Sequence, residues 1–577
     1  MDAMNNKELA DTFALIADLM QIKGEVIYKI LAYRKAAETL VAHPRAVADI
    51  HKEKGKLTDI PGVGEAIGDK IAELLDTGKL EYLENLKKEV PVSLAAMLEI
   101  PDLGPKKVKL FWDELNITTI AQLKKAAEEG QLRELPGMGA RSEAKLLDGI
   151  ESLARRTGRT PLGVAWPAAQ AQLEMIRGIK GVKAAEAAGS LRRMKDTVGD
   201  IDILVSAEES APVMKAFVEQ PKVARVLGEG EIKSSVEFQD GSRAQIWVHA
   251  PERFGTALQY ATGSKDHNVR LRELALKQGL SLSDQALTKE DGTEILASTE
   301  EAVYQQLGLD WVAPELREDR GEVQAAKQKK LPQLITTKDI RAELHSHSTW
   351  SDGKASIQHM AEEAMRRGHK TLAITDHSIS LGIGNGLSTD RLQQQRKAID
   401  KVRKQVGDRL LILHGTEMEI RADGKLDYSD EILAWLDIVI ASMHVSIRQP
   451  REQLTHRLLS ALHNPHVDII AHPTNRLIPD REGANLDMDA FLAAAAETDT
   501  ALEINANPRR LDLEDIYARR AIEMGIKLVI NTDAHRPEHL DFLHYGVATA
   551  RRAWVEKKHV INTWTPKQIE KWLQGRG

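Results

Sequence analysis

The spacing of hydrophobic residues changes along the chain, and each change predicts a different kind of structure. Residues 1 to about 160 carry apolar side chains three and four positions apart, as in ELADTFALIADLM, which predicts amphipathic helices. From about 166 to 253, runs such as VGDIDILVSA and RAQIWVHA are typical of strands, and Asp240-Gly241 predicts a hairpin turn. After residue 340, seven short apolar runs alternate with amphipathic helices, which predicts a parallel βα barrel. The seven runs are IRAEL, TLAIT, LLILHG, IVIAS, DIIAHP, ALEINA and LVINT.

These patterns predict a multidomain chain of six segments. We expect two helical parts at 1–90 and 91–165, an α+β part at 166–253, a mixed subdomain at 254–316, a linker at 317–338 and a barrel at 339–577. The linker is predicted because REDRGEVQAAKQKKLPQLI is polar, basic near its end and marked by a proline.

Composition narrows the class of protein. The 577 residues include 79 Lys and Arg against 86 Asp and Glu, a net charge of −7, so any contact with nucleic acid must come from local sites. The absence of cysteine excludes disulfides, thiolate zinc sites and a cysteine nucleophile. The sequence contains no run of about 18 apolar residues, so we expect no membrane span. The acidic N-terminus lacks the apolar segment of a secretory signal, so we expect no such signal. We expect a cytoplasmic protein without a membrane partner. Because no heptad pattern or long apolar patch is present, we also expect a monomer.

Histidines and acids predict a metal centre in the barrel. Of the 19 histidines, 15 lie at or after His345, so the C-terminal part has a chemistry of its own. Candidate ligands recur at or just beyond the C-terminal ends of the predicted strands, and in a barrel these ends converge on one face. They are His345, His347, Asp352, His377, Glu417, His444, His472, Asp533 and His535. Such a set could hold two or three zinc, manganese or iron ions, activate water and clamp a phosphate. Glu419 is an alternative to Glu417 because both share one strand face, and His414 has no assigned role.

The middle of the chain predicts a nucleotide site. Asp200 and Asp202 share one strand face and can both bind magnesium, while the Gly189-Ser190 backbone and Arg193 can cradle triphosphate oxygens. The alternative for Asp200 and Asp202 is a solvated strand edge. For the later segment YATGSKDHN the alternative is an ordinary helix N-terminus with Thr262 or Ser264 as its cap, and both interpretations can hold there.

Three similar turns predict contacts with DNA in the first 160 residues. The turns IPGVG, IPDLG and LPGMG each follow a helix end and open another helix, so their backbone N–H groups can bind a phosphate. The glycines that allow a close approach are Gly62, Gly64, Gly104, Gly137 and Gly139, and Lys106 and Lys107 follow the second turn. Such contacts position DNA without reading its sequence. A simple tight turn between helices is the alternative.

The motifs resemble two known families. HSHSTWSDG, TDH, HGTE, ASMH, AHP and NTDAH are similar to successive motifs of the PHP (polymerase and histidinol phosphatase) superfamily. This resemblance implies a distorted seven-stranded barrel with up to three ions, often manganese or zinc, and phosphoesterase or nuclease chemistry. The segments GSLRRMKDTVGDID and YATGSKDHN resemble the nucleotidyltransferase palm and following element of family X DNA polymerases. By that resemblance Tyr260, Gly263 and Asn268 would contact the incoming dNTP, and Arg272 would contact the template strand.

The N-terminal helices extend the resemblance to family X. ILAYRKAAETL and IPGVGEAIGDKIAELL resemble the small domain that, in some members, removes a 5′-deoxyribose phosphate through a lysine Schiff base. Lys70 falls on the nucleophile position, and Tyr33, Arg34 and Lys35 also match. The alternative is a solvated lysine that binds a 5′-phosphate.

One position departs from the family pattern. Family X polymerases carry a third aspartate on the strand after the hairpin, where this chain has Gln245. A neutral amide is a poor magnesium ligand, so synthesis is expected to be weakened or to depend on manganese. Glu237, on the other arm of the hairpin, is a candidate substitute.

Together these features predict a DNA repair enzyme. The front half would fill gaps with magnesium or manganese, and the barrel would act as a manganese- or zinc-dependent 3′→5′ exonuclease or phosphoesterase on gapped, nicked or 3′-ended DNA. Two alternatives are a nuclease whose inactive polymerase part binds DNA and nucleotides, and a small-molecule phosphatase or DNA scaffold.

Overall fold

The chain forms two compact units, residues 1–158 and 159–577. The computed structural model describes residues 4–43, 45–100, 103–155 and 159–575. Among these residues, no helix has both the length and the apolar character needed to cross a membrane.

The first unit is helical, as predicted. Leu9, Phe13, Ile16 and Met20 follow one another at helical spacing and are fully buried in its core. Its helices are α1 (Asn6–Lys23), α2 (Ile27–Ala42), α3 (Val47–Lys52), α4 (Glu65–Thr77), α5 (Glu81–Glu89), α6 (Pro105–Leu115), α7 (Ile120–Glu128) and α8 (Ala140–Arg155).

The second unit begins with an α+β palm. Its five-stranded sheet has the order β2-β4-β7-β6-β5, and helix α9 packs its apolar face against that sheet. The palm elements are β1 (Thr160–Pro161), α9 (Leu162–Arg177), β2 (Val182–Ala187), α10 (Gly189–Arg192), β3 (Thr197–Val198), β4 (Ile201–Ala207), α11 (Ala211–Val218), β5 (Val223–Glu229), β6 (Lys233–Phe238) and β7 (Arg243–His249). Strands β4 and β7 are parallel neighbours, and their register places Asp202 opposite Gln245.

A mixed subdomain follows the palm. It contains a small antiparallel sheet of order β10-β9-β8 and four helices. Its elements are α12 (Phe254–Thr262), α13 (Lys265–Leu276), β8 (Leu280–Leu282), β9 (Leu287–Lys289), β10 (Glu294–Ile295), α14 (Glu300–Gln306) and α15 (Glu322–Lys327).

The segment 317–338 differs from the polar linker that its composition predicts. Arg317 and Glu322 are fully buried, and Arg317 pairs with Glu300 at 2.6 Å. Glu322 accepts a contact of 2.6 Å from His267 Nδ1. These charges are buried because each has a partner on another element, so residues 317–322 are part of the packed subdomain, whereas Ile335 lies in the core of the barrel.

The barrel is formed by seven parallel strands in chain order, from β11 to β17. A bridge between Ser346 and Ala534, just beyond the first and last strands, nearly closes it. The barrel elements are β11 (Ala342–Glu343), α16 (Ile357–Arg366), β12 (Thr371–Ile374), α17 (Thr389–Val406), β13 (Leu411–Glu419), α18 (Asp430–Leu433), β14 (Ile438–Ser442), α19 (Arg451–Leu462), β15 (Ile469–Ile470), α20 (Met488–Glu497), β16 (Ala501–Asn505), α21 (Asp515–Glu523), β17 (Leu528–Asn531), α22 (Leu543–Arg552) and α23 (Pro566–Gln574). The predicted fold class is therefore confirmed.

Candidate metal centre and nucleotide site

The C-terminal ends of six barrel strands bring all nine predicted metal ligands together. His345, His347 and Asp352 follow β11, His377 follows β12, and Glu417 lies inside β13. Beyond the ends of β14, β15 and β17 come His444, His472, Asp533 and His535. Converging strand ends on one face of the barrel produce this arrangement.

Glu417 lies at the middle of the group. Its Oε2 atom is 3.3 Å from His345 Nε2, 3.4 Å from His347 Nε2 and 3.0 Å from His377 Nδ1. The other oxygen, Oε1, is 3.3 Å from His444 Nε2 and 2.9 Å from His472 Nε2. One carboxylate therefore links five imidazoles.

Asp533 and Asp352 complete the group. Asp533 Oδ1 is 3.1 Å from His347 Nε2, and Asp352 Oδ2 is 3.3 Å from His535 Nε2. The side chains of Asp352 and His535 are 31% and 28% exposed, whereas that of Glu417 is 1% exposed. The centre is therefore open to solvent on the side of Asp352 and His535.

Unpartnered buried atoms show that this donor set fits divalent cations. Although they are buried and close to one another, both oxygens of Glu417, His345 Nε2 and both ring nitrogens of His472 make no hydrogen bond of suitable geometry with any described residue. Such atoms are costly unless they bind something. Three subsets of ligand atoms lie within 4.8 Å of one another: His347, Asp352, His377 and His535; His345, His347, Glu417 and Asp533; His377, Glu417 and His444. Imidazole and carboxylate donors suit zinc and manganese.

The electrostatics of the centre favour cations. Burial alone would raise the pKa of Glu417, but His444, His345 and His377 outweigh it and hold that pKa well below its ordinary value. Burial would lower the pKa of His377, yet Glu417 and Asp352 raise it to about 10. A metal ion needs neutral imidazole, so binding at His377 releases a proton.

Outer partners orient the ligands, and the sequence did not single out the most buried of them. Glu503, on β16, accepts a contact of 2.8 Å from His345 Nδ1 and is itself bound by Asn531 at 3.0 Å. Glu419 accepts a contact of 2.8 Å from His444 Nδ1, so it orients a ligand and Glu417 occupies the centre. The signal for Glu503 was its place in ALEINA, where an acid stands inside an apolar strand.

His414 lies outside the centre although it shares β13 with Glu417. Its Nδ1 atom accepts a hydrogen bond of 2.7 Å from Arg396 Nε, and its Nε2 atom is 2.9 Å from Gln395 Oε1. It therefore belongs to the packing between β13 and α17.

The palm places its two acids together, and among the described strands the position opposite Asp202 holds Gln245 rather than a third acid. Burial and the neighbouring Asp200 raise the pKa of Asp202 to about 7. Gln245 Nε2 donates toward Asp200 Oδ2 at 3.4 Å. Glu237 is fully buried and pairs with Arg243 at 3.3 Å, so its carboxylate is already engaged by a cation.

Gly189 allows Asp202 to approach the start of α10, where Ser190 lies. A Cβ atom at Gly189 would lie 2.1 Å from Asp202 Oδ2, and its φ of +58° favours glycine. Arg193, the predicted phosphate ligand, donates to Thr262 O at 2.6 Å and pairs with Glu318 at 3.0 Å. It is therefore tied to the adjoining subdomain.

The predicted nucleotide and template contacts lie at the junction of α12 and α13. Tyr260 is 44% exposed, whereas Asn268 donates to Tyr260 O at 2.8 Å and accepts from Gln259 at 2.7 Å. Ser264 caps α13 by accepting a hydrogen bond from His267 N, and Gly263 precedes it with a φ of +68°. Arg272 is exposed on α13.

The N-terminal turns expose their glycines. Gly64 and Gly104 are the N-cap residues of α4 and α6, and Gly62 and Gly137 have φ of +79° and +74°. No atom lies within 4 Å of a Cβ built on Gly64, Gly104, Gly137 or Gly139, so a phosphate can approach these backbones.

Lys70, the predicted lyase nucleophile, lies on α4. Its Nζ atom donates to Ala66 O at 3.1 Å and stands 5.2 Å from the centre of the Tyr82 ring. Tyr33 stacks on the same ring at 5.9 Å, and Arg34 pairs with Asp18 at 2.7 Å.

Family comparisons match four parts of the chain. Residues 4–80 match a helix-hairpin-helix domain, and 94–152 match a SAM-like helix-hairpin-helix tandem. Residues 257–318 match the DNA polymerase beta thumb, and 343–507 match the PHP domain.

Some relatives match the whole chain and others match between a third and two fifths of it. A Bacillus subtilis (strain 168) protein called DNA polymerase/3′-5′ exonuclease PolX is 39% identical over 99% of this chain and 100% of its own length. Over 38% of this chain, a probable phosphatase of Thermoanaerobacter sp. (strain X514) is 31% identical, and 89% of that protein is covered. A probable phosphatase of Caldanaerobacter subterraneus subsp. tengcongensis is 34% identical over 33% of this chain and 74% of its own length.

Proposed function

The chain belongs to the family X DNA polymerases that carry a C-terminal PHP domain, and on that premise we propose that it is a DNA repair enzyme with polymerase and 3′→5′ exonuclease activities. The observation that carries the exonuclease proposal is the cluster of nine ligand-type side chains around Glu417. Full-length similarity to a polymerase with exonuclease activity favours a nucleic acid as the substrate over a small metabolite.

The nine side chains of the barrel are the proposed ligands of two or three manganese or zinc ions. Ions held there would supply Lewis acidity toward a phosphodiester and toward water. Glu417 belongs to two of the three ligand subsets and would be shared by the ions held there. Glu503 and Glu419 would keep His345 and His444 oriented, and the exposed side at Asp352 and His535 would admit the 3′ end of a strand.

The palm is the proposed polymerase site. Asp200 and Asp202 would bind magnesium or manganese, and Gly189, Ser190 and Arg193 would hold the triphosphate of a dNTP. Binding through Arg193 would require that its guanidinium exchange Glu318 for phosphate oxygens. Tyr260, Gly263 and Asn268 would flank the nucleotide, and Arg272 would contact the template.

Gln245 favours a second candidate, in which the palm binds DNA and nucleotides but synthesises poorly. The side chain opposite Asp202 is an amide, and it donates toward Asp200 rather than offering a further charge to a cation. Under this candidate the exonuclease is the main activity.

The helical unit is the proposed DNA grip. Its glycine turns would bind the sugar-phosphate backbone, and Lys70 would bind a 5′-phosphate or act as a lyase nucleophile. Monomeric and cytoplasmic states remain part of the same proposal.

The decisive experiment measures both activities in the purified full-length protein. A 5′-labelled gapped duplex is incubated with manganese, magnesium or zinc, with and without dNTPs, and the bound metal is measured by mass spectrometry. Loss of nucleotides from the 3′ end supports the exonuclease, and extension that depends on dNTPs supports the polymerase.

Matched variants assign each activity to its site. Glu417→Gln should abolish metal retention and 3′ degradation, and Asp200→Ala with Asp202→Ala should abolish extension. Degradation that persists in Glu417→Gln would refute the barrel site. Hydrolysis of nucleoside monophosphates without any attack on DNA would support the phosphatase alternative instead.

A further inference from the structure

Three arginines on neighbouring barrel loops lie beside the metal centre. Arg448 lies on the loop after β14, Arg481 on the loop after β15 and Arg510 on the loop after β16. Parallel strand ends meet at one face of the barrel, so these loops surround the same side of the centre as His444, His472 and Asp533.

Arg510 connects this group to the metal centre. Its Nε atom lies 3.6 Å from Asp533 Oδ2, and its Nη1 atom donates to Asn475 Oδ1. The same oxygen of Asn475 accepts a hydrogen bond of 3.0 Å from Arg481 Nη2. Arg510 therefore stands between the ligands and Arg481.

Two of the three arginines have no carboxylate partner among the described residues, whereas Arg510 pairs with Asp533 at 3.6 Å. Arg481 is partly buried, and its guanidinium donates to the backbone and side-chain oxygens of Asn475 rather than to a carboxylate. Arg448 is exposed and, over the same residues, has no ion-pair partner. Burial and the positive charges of Arg510 and Arg448 all lower the pKa of Arg481. The lowered pKa reflects repulsion between like charges that lie close together.

Two other arginines nearby do have carboxylate partners. Arg509, beside Arg510 on the same loop, pairs with Asp480 at 2.6 Å. Arg476 contacts Asp196 and Glu514 at 3.2 Å each. Arg448 and Arg481 have no such carboxylate among the described residues, so a bound anion would offset their charge in the same way.

We propose that Arg448, Arg481 and Arg510 form a phosphate-binding subsite for the DNA strand that the barrel degrades. Arg510 lies between Arg481 and the proposed metal ligands. The subsite therefore binds the phosphate adjacent to the one that is hydrolysed. This inference rests on the proposed nuclease function and identifies the residues that hold the strand for it. Guanidinium groups suit phosphate because they donate two parallel hydrogen bonds.

The test compares charge-matched variants of the full-length protein. Arg481→Gln and Arg448→Gln remove a subsite charge, and Arg509→Gln removes the same charge from the neighbouring ion pair. Each variant degrades a 5′-labelled single-stranded oligonucleotide with manganese at several KCl concentrations. Hydrolysis of bis(p-nitrophenyl) phosphate is measured in parallel, since it has one phosphate and cannot reach the subsite while it reacts.

We expect Arg481→Gln to raise the KM for the oligonucleotide about tenfold, with kcat within about twofold of the parent. The salt dependence of log KM should fall by about 0.7 for the lost phosphate contact. Hydrolysis of bis(p-nitrophenyl) phosphate and the metal content should stay unchanged. Arg481→Lys should recover part of the affinity, and Arg509→Gln should behave like the parent.

The proposal is overturned if Arg481→Gln keeps the parental KM and salt slope, or if Arg509→Gln changes both to the same extent. It is also overturned if bis(p-nitrophenyl) phosphate hydrolysis falls as far as DNA degradation. If Arg481→Gln does not fold, Arg448→Gln decides by the same criteria, because its side chain is exposed. A parent protein that leaves DNA intact would refute the nuclease function itself, whereas the other failures would leave that function standing.

Discussion

Gln245 Nε2 donates toward Asp200 Oδ2 across 3.4 Å, on the strand position directly opposite Asp202. The amide thus occupies the place from which a third carboxylate would face the same cations. Because the amide is neutral, it adds no further repulsion between carboxylates at this site. Burial and the charge of Asp200 already raise the pKa of Asp202 to about 7. We therefore expect the palm to be more stable without metal, and to bind magnesium more weakly, than a palm with a third carboxylate at this position.

Gln245→Asp should increase magnesium-dependent synthesis. A charged ligand restored beside a reacting phosphate is expected to contribute about 10²-fold in rate. The measurement is single-nucleotide incorporation on a gapped duplex with magnesium. The added charge should also lower the melting temperature in EDTA, and magnesium should restore it. Gln245→Glu is the matched control, because it adds the same charge on a side chain that is one methylene longer. Rates of incorporation that are unchanged in both variants would contradict this account of the site.

Glu503→Gln should weaken metal binding although Glu503 is not one of the nine ligands. Glu503 accepts from His345 Nδ1 at 2.8 Å, and such outer partners typically change metal affinity by about 10- to 100-fold. Competition with a chelator during manganese titration measures the change. Glu523→Gln, which removes a carboxylate from the pair with Arg519 on α21, is the control. Parental affinity in Glu503→Gln would show that His345 is held by its other contacts.

His369 should make folding sensitive to mild acid. Burial, with the nearby Arg367, lowers the pKa of His369 to about 4, whereas an unfolded histidine titrates near 6.5. The unfolded chain therefore binds this proton first, so stability is complete above about pH 6.5 and falls as the pH drops toward 4. The size of the effect is about 3 kcal/mol. Urea denaturation between pH 4.5 and 7.5 should show a shallower pH dependence in His369→Leu than in the parent; equal slopes would exclude His369 as the cause.

Arg552→Met should destabilise the second unit. Arg552 pairs with Glu318 at 2.9 Å and with Asp515 at 2.7 Å, and it donates to Arg193 O at 2.8 Å. Its removal leaves two largely buried carboxylates without this cation, which costs about 3–5 kcal/mol.

The unfolding free energy of Arg552→Met, from urea denaturation, tests this expectation. Arg509→Met, which breaks an exposed pair, should cost less than about 1 kcal/mol. Similar losses in the two variants would contradict a special role for Arg552 at the junction of the palm, the mixed subdomain and the barrel.

Local sequence patterns were sufficient to predict much of the fold of this protein and the side chains of its candidate metal centre. Alternation and helical spacing predicted the helical unit, the palm strands and the seven barrel strands, because backbone geometry sets those periods. Ligand chemistry at strand ends selected nine side chains that do lie together, and the missing acid at Gln245 was visible in the chain itself.

Only the tertiary structure decided which distant groups face one another. Glu503 lies in an apolar strand, and its contact with His345 exists because β16 and β11 belong to the same nearly closed barrel. Residues 317–338 are polar, but Arg317 and Glu322 are buried because their partners come from other elements. Arg448, Arg481 and Arg510 are unremarkable in sequence and become a charged group only where three loops converge. The sequence pattern reveals the backbone period of each helix and strand. Which charged side chains pair with one another depends on how distant strands and loops come together in the folded barrel.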